Sequence, residues 1–286
     1  MILPLQEITA YNFSLFIFGL AIGSFLNVLS LRYDPDKFLF SLKNLRGRSH
    51  CPHCKKILRW HELIPLFSFF IQLGRCRGCL VKIGWQYPIV EFLTGLAFLI
   101  PIYIQGPLWF SVIWVLAAIL LILMSVIDYR LYLIPDEIII GLSLLGILLA
   151  GLKLYYQNFL IWNGSFLKNY SLLIMLPGNI FWRHILTAVI CGLLFLLIVL
   201  VTKGRGMGVG DVKLAGAIGL LMGSPDAFLA LALSFVIGSV VGLFLMAFGR
   251  KKFKEPIPFG PHMVLGVFIV MFFGYQILDF YFHLFG

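Results

Sequence analysis

Long apolar runs alternate with short polar breaks along this chain. A helix needs about 20 apolar residues to cross a bilayer core. Eight runs approach that length, at roughly 12–31, 86–105, 108–127, 133–152, 183–202, 212–223, 227–249 and 260–284. The sixth is short and suits a tilted or half-inserted segment. One long polar stretch, 32–85, separates the first run from the second. The connection 155–180 is moderately apolar. Its Tyr155, Tyr156, Trp162 and Tyr170 are amphipathic aromatics of the kind that settle at a membrane interface. The pattern predicts an all-α polytopic membrane protein of about eight transmembrane helices. It divides into a first helix at 1–31, a polar loop module at 32–85 and a helical core at 86–286. Gly19 and Gly23, four residues apart in the first run, predict a close helix–helix contact.

Composition agrees with the pattern. Of 286 residues, 61% are hydrophobic and 12% charged, whereas a soluble domain is about a quarter charged. The net charge of +10 raises the question of nucleic acid, and the placement of the basic residues answers it. With eight spans, 19 of the 22 Lys and Arg fall on one side, in the 32–85 loop and the breaks at 128–132, 203–213 and 250–255. The other side holds Lys153, Lys168 and Arg183. The positive-inside rule makes the basic side cytoplasmic and puts both termini outside. Anionic lipid headgroups then account for the charge, and no nucleic-acid partner is expected. The N-terminus lacks a basic n-region, so no cleavable signal peptide is expected.

Acids at span ends are the candidate chemistry. Asp128 closes the third run, and Asp211 opens the sixth on the same side. A carboxylate at a membrane boundary is costly to place, which makes it a candidate for function. Two at equal depth can face each other and share a proton. One then deprotonates a water while the other protonates a carbonyl oxygen or leaving amine. The alternative is that each acid caps a helix or pairs with Arg130 or Lys213. Gly204, Gly206, Gly208 and Gly210 leave the backbone before Asp211 free for positive φ and for close approach of an extended peptide. Gly208 and Gly210 are the candidate substrate-binding positions. Pro135 marks a helix start and places Asp136 at its positive end. Glu91 lies inside the second run, and either pairs with a loop Lys or Arg or binds a cationic group.

The polar loop carries Cys51-Pro-His-Cys54 and Cys76-Arg-Gly-Cys79, separated by 21 residues. Two such pairs at this spacing predict a four-thiolate zinc site held by Cys51, Cys54, Cys76 and Cys79. Four ligands fill the metal and favour a structural role. Lys55, Lys56, Arg75 and Arg77 flank the thiols and favour their deprotonation. Disulfides are the alternative, and a cytoplasmic location argues against them. Cys191, inside a span, reads as a buried apolar side chain.

In this order the motifs resemble those of the type IV prepilin peptidases, membrane aspartic proteases of the GxGD type. The resemblance runs nearly end to end. It rests on Gly23-Ser-Phe-Leu-Asn-Val-Leu-Ser-Leu-Arg32, Cys51-Pro-His-Cys54, Trp60-His-Glu-Leu-Ile-Pro65, Gly74-Arg-Cys76 and Tyr87-Pro-Ile-Val-Glu91. It continues through Asp128 with Ile134-Pro135-Asp136, Gly208-Val-Gly210-Asp211 and Ile257-Pro-Phe-Gly-Pro261. The resemblance implies a bacterial inner-membrane enzyme with its active site facing the cytoplasm and Asp128 and Asp211 as catalytic pair. Its substrates would be prepilins or pseudopilins, cleaved after a short basic leader. It also implies methylation of the new N-terminal amine from S-adenosylmethionine, since members with two cysteine pairs are typically bifunctional. The competing reading is a transporter or metal-handling protein with a zinc loop. It predicts acids at mid-bilayer and repeated halves, and the acids here gather at one face.

Overall fold

The computed structural model describes residues 5–39, 41, 47–104, 107–156, 165–168, 170–171, 176–204, 206–249 and 255–285. Trp162 and the basic residues Lys43, Arg46, Arg205, Arg250, Lys251, Lys252 and Lys254 lie outside them. The chain forms two compact units, Met1–Ile127 and Asp128–Gly286.

In the first unit α1 (Leu5–Arg32) is followed by the loop module, with a 3₁₀ turn at Trp60–Glu62 and the short α2 (Phe67–Ile71). Then come α3 (Gln86–Ala97), α4 (Ile100–Tyr103) and α5 (Leu108–Leu131), whose last turn from Asp128 onward belongs to the second unit. The second unit holds α6 (Asp136–Tyr156), α7 (Ile180–Thr202), α8 (Val209–Met222), α9 (Asp226–Ala247) and α10 (Gly260–Phe285). Among the described residues seven helices are long and apolar enough to cross a membrane, with α3 and α4 counted as one span from Gln86 to Tyr103. They account for seven of the eight apolar runs. The remaining run, the short sixth, is α8. Its 14 residues extend about 21 Å, less than the roughly 30 Å of a bilayer core.

Small residues set the helix contacts. A Cβ on Gly19 would stand 2.8 Å from Gly95 Cα, and one on Gly23 2.7 Å from Glu91 Cα. α1 therefore meets α3 backbone to backbone, as the Gly19–Gly23 spacing predicts. In the second unit a Cβ on Gly219 would meet Ala188 Cα at 2.8 Å, and one on Gly146 would meet the Leu220 carbonyl carbon at 2.9 Å. α8 is thus wedged between α6 and α7, with Leu214, Ala215, Ile218 and Leu221 fully buried. Gly19→Leu is expected to lower stability by about 1–3 kcal/mol through overpacking. Its thermal midpoint in detergent should drop, and a midpoint equal to wild type would mean that α1 and α3 do not pack this closely.

The aromatics of the 155–180 connection divide. Tyr155 is exposed. Tyr170 donates its hydroxyl to Asp279 Oδ1 at 2.9 Å and stacks on Phe282, centroids 5.2 Å apart. That contact ties the connection to the end of α10.

Candidate active site and metal centre

Asp128 lies in the last turn of α5. The helix closes when Tyr132 turns left-handed at φ 54° and donates its N–H to the Asp128 carbonyl at 2.8 Å. The Asp128 side chain is 5% exposed, and its Oδ2 accepts the Gly260 N–H at 3.0 Å. Gly260 opens α10, where the first N–H groups have no partner inside the helix. Asp211 is the third residue of α8 and is 8% exposed. Its Oδ2 accepts the Gly208 N–H at 3.0 Å.

The two carboxyl groups lie close enough for the charge of Asp211 to act on Asp128. Each is steadied by one backbone donor, and among the described residues neither forms an ion pair. The alternative of pairing with Lys213 fails, because Lys213 Nζ goes to Asp136 Oδ1 at 2.7 Å. That pair is exposed on both sides. Asp136 is the first residue of α6, directly after the buried Pro135, as a helix start requires.

The glycine-rich break differs from expectation. Among its described glycines only Gly204 takes a left-handed φ, 71°; Gly208 sits at φ −86°. A Cβ at 208 would stand 3.7 Å from Asp211 Oδ2, an ordinary contact, so neither φ nor crowding demands glycine there. The missing side chain leaves that flank of the carboxylate open. The Gly208 N–H is engaged by Asp211 itself. At 210 a Cβ would press on Ile134 at 3.3 Å, which lets the start of α8 approach the Ile134–Pro135 segment.

The cysteines converge. Cys51, Cys54, Cys76 and Cys79 bring their sulfurs within 4.8 Å of one another, and none is in a disulfide. Cys51 Sγ and Cys79 Sγ are 3.8 Å apart, Cys54 Sγ and Cys76 Sγ 4.0 Å. Tetrahedral zinc with Zn–S of about 2.3 Å needs sulfurs about 3.8 Å apart. The four thiols therefore fit zinc. The two knuckles are built alike. In each, the residue after the second cysteine, Lys55 or Leu80, turns back at φ 58°. Its N–H reaches the carbonyl of the first cysteine, at 3.0 Å for Cys51 and 2.9 Å for Cys76. Isolated bridges His50–Ile57 and Arg75–Lys82 close the bases. The backbone N–H groups of Cys79 and Gly78 pull the Cys76 thiol down to about 6, toward the thiolate a metal requires.

Two acids hold the loop module in place. Glu91 is 7% exposed and takes the Leu66 N–H at 2.8 Å on Oε2, with a further hydrogen bond to Ser24. Among the described residues no Lys or Arg forms an ion pair with it; Lys43 and Arg46 of the loop lie outside them. Glu62 was not anticipated. It is 7% exposed and joins Lys56 Nζ at 3.0 Å to the Arg59 N–H at 2.9 Å. The Arg59 N–H, and then Lys56, hold its carboxyl below the usual range. The available signal was its isolation, as the one acid between Lys37 and Glu91 in a basic loop. Lys56 thus serves Glu62 as well as flanking the thiols.

Residues 17–104 match the model of the Bacterial Peptidase A24 N-terminal domain, and residues 114–243 that of the Type IV leader peptidase family. A Prepilin leader peptidase/N-methyltransferase of Bacillus subtilis is 30% identical, across 93% of this chain and 96% of its own length. Proteins of the same name from Stutzerimonas stutzeri and Aeromonas hydrophila are 29% and 31% identical. Those matches cover 91% and 93% of this chain, and 90% and 92% of the relatives. No solved structure gives a significant match.

Proposed function

Because the chain belongs to the type IV leader peptidase family, we propose that it removes the leader of prepilins or pseudopilins and methylates the new N-terminus. The observation that carries the proteolytic half is the pair of buried carboxyl groups, Asp128 and Asp211, in electrostatic reach of each other. Two such groups ionise together only at a cost, so they hold one proton between them. The ionised member takes a proton from a water, and that water attacks the scissile carbonyl. The protonated member gives its proton to the carbonyl oxygen, and collapse of the tetrahedral intermediate expels the amine with a proton returned to it. Gly208 leaves Asp211 uncovered, and Gly210 keeps the start of α8 narrow, so that an extended peptide backbone can pass beside the pair. The 19-to-3 split of basic residues supports a cytoplasmic active site in the bacterial inner membrane. The transporter reading is not favoured beside the family membership.

The four thiols would hold a structural zinc, closing the loop module around the metal. S-adenosylmethionine would supply the electrophilic methyl group. Glu91 is the group proposed to meet a cation, either the peptide amine or the sulfonium, while it anchors the Leu66 N–H. Glu91→Gln is therefore expected to lower methylation more than cleavage. An equal loss of both at normal protein level would leave Glu91 with the anchoring role alone.

The whole reading is tested by incubating purified protein with a prepilin peptide, with and without S-adenosylmethionine, and reading product masses. Cleavage without the methyl donor, and a gain of one methyl on the mature fragment with it, are expected. An intact peptide under both conditions counts against the proposal.

A further inference from the structure

A second cluster of charged groups lies far from Asp128 and Asp211. Lys153 from α6, Arg183 and His184 from α7, Met222 at the end of α8, Ser224 just after it and Asp226 from α9 line a small cleft that opens to the surface. Asp211 and Met222 are eleven residues apart on α8, so about 17 Å of helix separates the cleft from the aspartates.

The cluster carries more positive than negative charge. Lys153 is 5% exposed and lies in electrostatic reach of both Asp226 and Arg183. Asp226 is 1% exposed, and its oxygens are engaged, Oδ1 by the Ser165 hydroxyl at 2.7 Å and Oδ2 by the Phe166 N–H at 3.1 Å. Arg183 has a buried Nε without a hydrogen-bond partner, and among the described residues no carboxylate forms an ion pair with it. The connection 157–179 contains no Asp or Glu, so it has no counter-charge to supply. Asp226 faces Lys153, so Arg183 is left without a carboxylate of its own among the described residues, at the end of a membrane bundle where an unbalanced charge is costly. Ile180, the first residue of α7, also lines the cleft and brings the positive end of that helix to it. The Ser224 side chain accepts the Leu176 N–H at 3.3 Å, which leaves its hydroxyl hydrogen to donate. His184 bonds the Leu220 carbonyl through Nδ1 at 2.7 Å, which holds its ring in place at the cleft.

We propose that this cleft is a binding site for a phosphate oxyanion, held by Arg183 and Lys153 with a hydrogen bond from Ser224. The oxyanion comes from an anionic phospholipid headgroup or from a free phosphate. The site is separate from the catalytic pair and does not depend on what that pair does.

The test uses the purified full chain in phosphate-free neutral detergent, with thermal unfolding as readout. Inorganic phosphate, phosphatidylglycerol in mixed micelles and diacylglycerol, a lipid without phosphate, are titrated separately. A phosphate-bearing additive is expected to raise the midpoint saturably, and diacylglycerol to leave it unchanged. Arg183→Gln should weaken the apparent affinity at least tenfold. A response to phosphatidylglycerol alone identifies a headgroup, and a response to inorganic phosphate identifies a free anion. Either supports the site. If neither raises the wild-type midpoint, or if Arg183→Gln titrates like wild type, the proposal is overturned. Should Arg183→Gln not fold, Ser224→Ala removes one donor and is expected to weaken binding about fivefold; an unchanged titration of that variant overturns the proposal equally.

Discussion

Asp128→Asn or Asp211→Asn is expected to reduce leader cleavage by about 10²–10⁴-fold or more, the contribution of a positioned acid or base. The fold should survive both changes. An amide oxygen at 128 can still accept the Gly260 N–H, and one at 211 the Gly208 N–H, which are the bonds that hold the two carboxyl groups. The amide cannot take a proton from water, and the remaining acid cannot serve as both acid and base. Asp136→Asn is the control. It breaks an exposed pair with Lys213, a contact of about 0–1 kcal/mol, and should leave cleavage close to wild type. Cleavage of a prepilin peptide, followed by mass alongside a thermal midpoint, decides the matter. If Asp136→Asn is as damaging as Asp128→Asn, or if Asp211→Asn cleaves normally, the two-aspartate assignment is wrong.

Replacing one zinc-site cysteine, Cys51→Ser or Cys76→Ser, is expected to take the metal content from one zinc per chain to nearly none. Around the knuckles themselves little apolar surface is buried. Trp60, Leu73 and Leu80 are 78%, 85% and 70% exposed, so apolar burial there does little to replace the metal. Zinc binding contributes about 10–16 kcal/mol in small zinc modules, and losing it should open 50–83 to proteolysis. Methylation should fall further than cleavage, because Asp128 and Asp211 belong to the second compact unit. Acid should release the metal as well, since protons compete for the thiolates as pH falls. Metal analysis finding no zinc in fresh wild-type protein, or a Cys51–Cys54 disulfide there, counts against the site.

The amino-acid sequence by itself determined what short-range physics controls. The length of each apolar run answers to the thickness of a bilayer, so the seven long spans and the short α8 were legible as a pattern. The two cysteine pairs were legible for a related reason. A two-residue gap suffices to bend the chain around one metal, and the same turn recurs after Cys54 and after Cys79. Pro135 followed by Asp136 announced the start of α6 without reference to any other helix.

Tertiary structure decided the partners. The Gly260 N–H reaches Asp128 across 132 residues, a pairing that no local pattern encodes. Lys213 stands two residues from Asp211 yet bonds Asp136, because the first turn of α8 points the two side chains to different neighbours. Glycine at 208 looked like a conformational requirement, yet its φ of −86° suits any residue and a Cβ there would make only an ordinary 3.7 Å contact. Asp226 is an ordinary charged residue in sequence, and Glu91 there had no identified partner. What distinguishes them is burial against the Ser165 hydroxyl and Phe166 N–H in one case and the Leu66 N–H in the other, groups that come near only when distant parts of the chain pack together. Hydrophobic length is a sum over neighbours, whereas the fate of a single charge depends on the one surface it meets.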